Sequence, residues 1–140
     1  MKASILLDTG PLVALLHRRD KYHEWAKAQA ANLPAPLITC EPVLTEACFL
    51  LSKLSGGSNK VLEMVEGGLL EVGLRVPDDI TALKKLMARY GNVPMSLADA
   101  CLVRLSEKHA NAVVFTLDGD FRIYRRHGRQ VISTLIPPER

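Results

Sequence analysis

The sequence predicts an α/β domain with a mostly parallel sheet covered on both faces by helices. Short apolar, β-rich runs (residues 4–7, 37–40 and 113–116) alternate with segments of helical periodicity. Those runs are apolar at successive positions, as in strands buried on both faces with helical crossovers between them. The chain has 140 residues, of which 48% are hydrophobic. That length supports one domain, 1–140, with a real core and is short for two.

Ser4 to Leu7 reads as the first strand, with Asp8 at its carboxyl end. Gly10 supplies a bend, and Pro11 suits the first position of a helix, where its missing N–H has no intrahelical partner to lose. In open α/β sheets ligands collect at such strand ends, so Asp8 either caps the helix or faces a site. Two helices follow, Leu12 to Arg19 and Lys21 to Ala31, the second carrying the single tryptophan, Trp25. Leu37 to Cys40 forms a second strand and Pro42 opens a helix over 43–53. Val43, Ala47, Leu50 and Leu54 make its apolar stripe, and Glu46 lies beside it. Asn59 is read as the cap of a helix over 60–66 that Gly67-Gly68 ends. A third strand spans 69–74, and a helix from Pro77 to Tyr90 follows. Ser96 caps an apolar helix containing Asp99. After the strand at 113–116 come Asp118-Gly119-Asp120-Phe121, a helical turn over 122–126 and a last strand at 131–133.

No segment reaches the roughly 18 uninterrupted apolar residues of a membrane span. The apolar N-terminal stretch contains Asp8 and leads into a charged helix, not a small-residue cleavage site, so the sequence predicts a soluble, cytoplasmic protein. Cys40, Cys48 and Cys101 lack metal-ligand spacing and read as buried thiols. The four histidines are scattered and read as surface imidazoles. No phosphate-binding glycine motif is present. A net charge of +3 is modest, yet Arg122, Arg125, Arg126 and Arg129 crowd one stretch, and Arg18, Arg19 and Lys21 form a second cluster.

Asp8, Glu46, Asp99 and Asp118 carry the chemistry. Asp8 and Asp118 follow strands, while Glu46 and Asp99 are read in the first turns of helices, so one sheet edge can gather all four. Each has a plainer explanation: Glu46 as a first-turn acid favoured by the helix dipole, Asp99 as the partner of Ser96 in a capping box, Asp118-Gly119 as a hairpin turn. Together they are harder to dismiss. Unit charges about 4 Å apart repel by about 4 kcal/mol at an effective dielectric near 20, so clustered carboxylates call for protons or a cation. Mg2+ or Mn2+ suits oxygen ligands, and beside a phosphodiester such an ion lowers the pKa of a bound water. That is nuclease chemistry.

Asp8-Thr9-Gly10-Pro11-Leu12-Val13-Ala14-Leu15, Thr45-Glu46-Ala47, Ser96-Leu97-Ala98-Asp99-Ala100 and Thr116-Leu117-Asp118-Gly119-Asp120-Phe121 resemble, in this order, the motifs of PIN-domain ribonucleases, particularly VapC-type toxins. The resemblance implies a three-layer α/β/α sandwich and metal-dependent RNA cleavage, with Mg2+ or Mn2+ and its water held by Asp8, Glu46, Asp99 and Asp118. It gives Thr116 the part of arranging a water or the neighbouring carboxylates. Asp120 is either an outer partner of the ligands or a turn residue. It also implies a cognate antitoxin and a homodimer, for which residues 59–70 are the candidate surface. Arg122, Arg125 and Arg126 either contact RNA phosphates or form a solvated face. The alternatives are a non-toxic RNA-processing nuclease and a non-catalytic binding module.

Overall fold

The computed structural model describes residues 2–138; the remaining residues of the expected 1–140 domain lie outside it. Strands and helices alternate as the sequence predicts. β1 (Ser4–Leu7) leads into α1 (Thr9–Leu16) and α2 (His23–Ala30), and β2 (Leu37–Thr39) into α3 (Glu41–Leu50) and α4 (Gly57–Glu66). β3 (Leu70–Val72) leads into α5 (Ile80–Arg89) and α6 (Leu97–Lys108). β4 (Ala112–Phe115) is followed by a small hairpin, β5 (Arg125–Arg126) and β6 (Gln130–Val131), and then by β7 (Ser133–Leu135).

Five strands pair in parallel in the order β3-β2-β1-β4-β7. The chain steps outward from β1 in one direction, then returns to β1's other side, so the topological switch falls between β1 and β4. An open α/β sheet leaves a crevice at the carboxyl ends of those strands. Right-handed crossovers put α1 to α4 on one face and α5 and α6 on the other, giving the three-layer sandwich. Ser4 to Leu7 stand opposite Ala112 to Phe115 in register. Asp8 and Thr116 therefore leave the sheet side by side.

The sheet is buried where the sequence is continuously apolar: Leu6, Leu7, Val114 and Phe115 are fully enclosed. α6 packs on β1 and β4, burying Leu102 and Leu105 completely. Each such side chain contributes about 2 kcal/mol through lost apolar exposure. A buried Asp79, in the short 3-10 turn before α5, receives Arg104 Nε at 2.8 Å and Lys108 Nζ at 3.0 Å and ties that turn to α6.

Several boundaries differ from the sequence reading, each for a local reason. Pro11 is the third residue of α1, still within the first turn, where its lack of an N–H costs nothing. α4 starts at Gly57 instead of after Asn59, because Gly56 adopts a left-handed φ of 68° and turns the chain early. Asn59 instead donates to Glu63 from inside the helix. The helical turn expected over 122–126 is a 3-10 turn at Gly119–Arg122 followed by β5, and the last strand begins two residues later than expected. A tight turn causes the shift: His127 and Gly128 both have positive φ and fold β5 back on β6.

Arg126, which the sequence leaves as either an RNA-phosphate contact or part of a solvated face, is engaged with the end of α6. Its guanidinium donates to the carbonyls of Ser106, His109 and Ala110, at the C-terminal end of α6. Arg126→Ala removes those bonds and their attraction to the helix dipole, and is expected to lower unfolding free energy by about 2 kcal/mol in urea titrations.

Candidate active site

Asp8 ends β1 and caps α1, its Oδ1 accepting the Thr9 N–H at 2.8 Å. Its Oδ2 accepts the Thr116 hydroxyl at 2.7 Å, and Thr116 Oγ1 in turn accepts the Asp118 N–H at 2.9 Å. One buried threonine therefore fixes two of the four acids. Glu46 projects from the second turn of α3, one turn later than expected, so dipole stabilisation at a helix start does not explain it. Its Oε1 accepts the Thr9 hydroxyl at 2.8 Å, linking α3 to the start of α1. Asp99 and Ser96 form the capping box that the spacing predicts: Ser96 Oγ accepts the Asp99 N–H at 3.0 Å and Asp99 Oδ2 accepts the Ser96 N–H at 3.2 Å. Capping does not remove Asp99 from the site.

Asp8, Glu46, Asp99 and Asp118 all line one open cavity of about 620 Å³, with Thr9, Gly10 and Ser96 and with Phe49 and Leu50 at its mouth. No basic residue lines it among the described residues. Gly10 makes a close approach: a Cβ there would stand 3.0 Å from Leu117 Cγ and Cδ1. Asp120 does not line the cavity; it sits in the 3-10 turn, where its N–H donates to Asp118 Oδ1 at 2.9 Å. Arg125 Nη1 folds back on the carbonyls of Arg122, Ile123 and Tyr124.

Residues 5–126 match the PIN domain family. The chain belongs to that family. No curated protein sequence matches it. Its fold is similar to that of Mycobacterium tuberculosis VapC20, a sarcin–ricin loop cleaving toxin, at 24% identity and a TM-score of 0.75, covering 84% of this chain and 92% of that one. A DNA-bound VapBC from Salmonella typhimurium is similar at 18% identity and a TM-score of 0.56, covering 96% and 98%. VapBC2 from Rickettsia felis, bound to a promoter DNA fragment, gives 14% and 0.60, covering 94% and 98%.

The cavity of this PIN domain is electrostatically strained. Asp8 is only 7% exposed, and burial pushes its pKa up to about 6. Thr116 and Thr9 oppose that shift, while the charges of Asp99 and Asp118 add to it. Asp99 is raised as well, by burial first, against the bonds from Ser96 and Tyr124. By contrast Cys40, hydrogen-bonded to Cys101 and buried, has its thiol pKa raised and is a core group.

Tyr124 was not foreseen as a site residue. Its hydroxyl donates to Asp99 Oδ2 at 3.1 Å, sharing that oxygen with the Ser96 N–H. Its ring is fully buried and packs edge-on against Tyr90 and Phe121, with centroids 5.1 and 5.3 Å away. The available sequence signal was an aromatic pair, Phe121 and Tyr124, in the segment that follows Asp118; only tertiary structure directs the hydroxyl to an acid far away in sequence. Tyr124→Phe keeps the ring and removes the donor, so the Asp99 titration midpoint, followed by carboxyl carbon NMR, is expected to rise.

A second expectation concerns stability. Asp8 has a folded pKa near 6, above its unfolded value of about 4. The folded state thus binds the extra proton between those values, and stability falls as pH rises from about 4 to about 6. Above that window ionised Asp8 costs on the order of 3 kcal/mol. In chelator at pH 7, Asp8→Asn is expected to melt higher than the parent and to show a flatter pH dependence of Tm.

Proposed function

We propose that this PIN domain is a metal-dependent endoribonuclease and the toxin of a toxin–antitoxin pair. The convergence of Asp8, Glu46, Asp99 and Asp118 on one cavity without a basic residue carries the reading. Oxygen-only donors around a buried carboxylate fit a hard divalent ion such as Mg2+ or Mn2+. Among the described residues no three His, Cys, Asp or Glu side chains are already arranged as a ligand set. That is compatible with Mg2+, which takes one or two carboxylates directly and keeps several waters.

In this mechanism Asp8 and Asp99, held on threonine, serine and tyrosine donors, would be the rigid ligands. Glu46 and Asp118, held by Thr9 and by the Asp120 N–H, orient water. Such an ion, when bound, would supply an activated water and charge neutralisation at the non-bridging oxygens of an RNA phosphodiester. Thr116 keeps Asp8 and Asp118 in fixed relation, and the half-buried cavity concentrates their charge where the ion is needed. The likeness to VapC and VapBC structures supports the toxin assignment and an antitoxin partner. The homodimer is proposed through Leu62 and Leu69, which are exposed within the 59–70 segment.

The test is cleavage of total cellular RNA by purified protein with Mg2+, with Mn2+ and with chelator, beside an Asp99→Asn variant of unchanged circular dichroism. Metal-dependent cleavage is expected, reduced at least about a hundredfold in the variant, the scale of losing a group that stabilises transition-state charge. Cleavage that survives both chelator and the substitution would falsify the reading. Absence of cleavage by folded, antitoxin-free protein with every metal would favour a binding module.

A further inference from the structure

A second hollow of about 440 Å³ adjoins the acidic cavity, and Glu46 and Ser96 line both. One face of α3 runs along the two. Pro42, Thr45 and Glu46 border the second hollow, and Glu46, Phe49 and Leu50 the first, at the three-and-four spacing of a single helix face. A strand held with a phosphodiester at the four acids therefore has this hollow beside it.

Three segments build it. Glu41 and Pro42 open α3, Leu97 opens α6, and Val76 opens the 3-10 turn before α5. That turn is fastened to α6 by the bonds of Asp79 to Arg104 and Lys108, so its wall is set before anything binds. Pro42, Val76 and Leu97 give apolar walls, and Glu41 adds an exposed carboxylate with no ion-pair partner among the described residues. No Lys or Arg lines the hollow among those residues. The positive ends of α3 and α6 are already matched by Glu41 and Asp99 in their first turns.

We propose that this hollow is a nucleobase subsite that selects guanine, taking the base of a nucleotide next to the phosphodiester at the four acids; this rests on the nuclease reading above. A phosphate would meet two carboxylates there and no cation, so charge excludes the backbone of the strand and admits its neutral part. A splayed-out base can lie against apolar walls and leave its edge to hydrogen-bond, which is how single-stranded RNA is read. An ionised carboxylate only accepts, through two oxygens. Guanine alone among the common bases presents two adjacent N–H donors on its Watson–Crick edge, N1–H and the 2-amino group. Uracil sets its one N–H between two carbonyls, and adenine and cytosine put a ring-nitrogen acceptor beside the amino group, where a carboxylate repels it. Glu41 is the specificity residue of this subsite and has no part in holding the ion.

The experiment measures binding of short fluorescein-labelled oligouridylates carrying one central guanosine, adenosine, cytidine or inosine, beside the all-uridine strand, with Mg2+ in the Asp99→Asn background so that the probes stay intact. The guanosine probe is expected to bind about tenfold tighter than the adenosine, cytidine and all-uridine probes, the scale of one bidentate base contact. Inosine, which lacks the 2-amino group, is expected to fall between. Glu41→Gln is expected to abolish the guanosine preference and move it towards adenosine, whose amino group and ring nitrogen match an amide, while the all-uridine strand binds as before. Equal weakening of every probe by Glu41→Gln would mean a merely structural role and overturns the proposal. So does a guanosine preference that survives Glu41→Gln, or one lost equally in Glu66→Gln, an exposed acid of α4 that lines neither hollow. If Asp99-intact protein cuts RNA while all the probes bind alike, the subsite alone fails and the hollow is left to a protein segment; if it neither cuts nor binds RNA, the nuclease reading fails with it.

Discussion

Ionised carboxylates resist burial, and Asp8 is an almost fully buried one at the point where two parallel strands end. Such a group stays in place only if hydrogen bonds replace much of its lost hydration. Here the Thr9 N–H and the Thr116 hydroxyl do so, one from the helix that Asp8 starts and one from the neighbouring strand. The pairing of β1 with β4 in register makes the second bond possible, because it brings residues 8 and 116 out of the sheet together. The rest of the site is arranged around this contact. Thr116 passes the constraint to Asp118, and Thr9 passes it to Glu46.

α6 supplies the fourth acid and is fastened along its length. Ser96 and Asp99 close its first turn, and Tyr124 reaches that turn from beyond β4. Asp79 grips its later turns through Arg104 and Lys108, while Arg126 takes up its terminal carbonyls. Such anchoring holds the helix that carries Asp99 against fraying. Two guanidinium groups of the basic stretch after Asp118, those of Arg125 and Arg126, thereby complete backbone hydrogen bonding that the following turn and α6 lack.

Most of this was legible in the sequence, because it was written in local signals. Continuous apolar runs gave parallel strands, Ser96 gave a helix start, and the positions of Asp8, Glu46, Asp99 and Asp118 relative to those elements put four acids at one edge. Their convergence on one cavity follows from strand order, and the switch between β1 and β4 supplied it. What was not legible depended on long-range geometry or on backbone handedness. Nothing near Tyr124 in sequence indicates Asp99, and nothing in four clustered arginines distinguishes a helix cap from a phosphate contact. The left-handed turns at Gly56 and at His127-Gly128 moved the boundaries of α4 and the last strand, since a single positive φ redirects the chain without altering its hydrophobic pattern.

Gly10 has a consequence that reaches the acidic cavity. The start of α1 lies so close to Leu117 that a methyl group at position 10 would press on that leucine, whose side chain would have to give by a few tenths of an ångström. Leu117 lines the acidic cavity. A one-carbon change at a position with no charge, no proton and no donor side chain would thus press on the wall of that cavity, while leaving all four acids in the sequence. The shape of the acidic cavity thus depends on a residue that carries none of its chemistry.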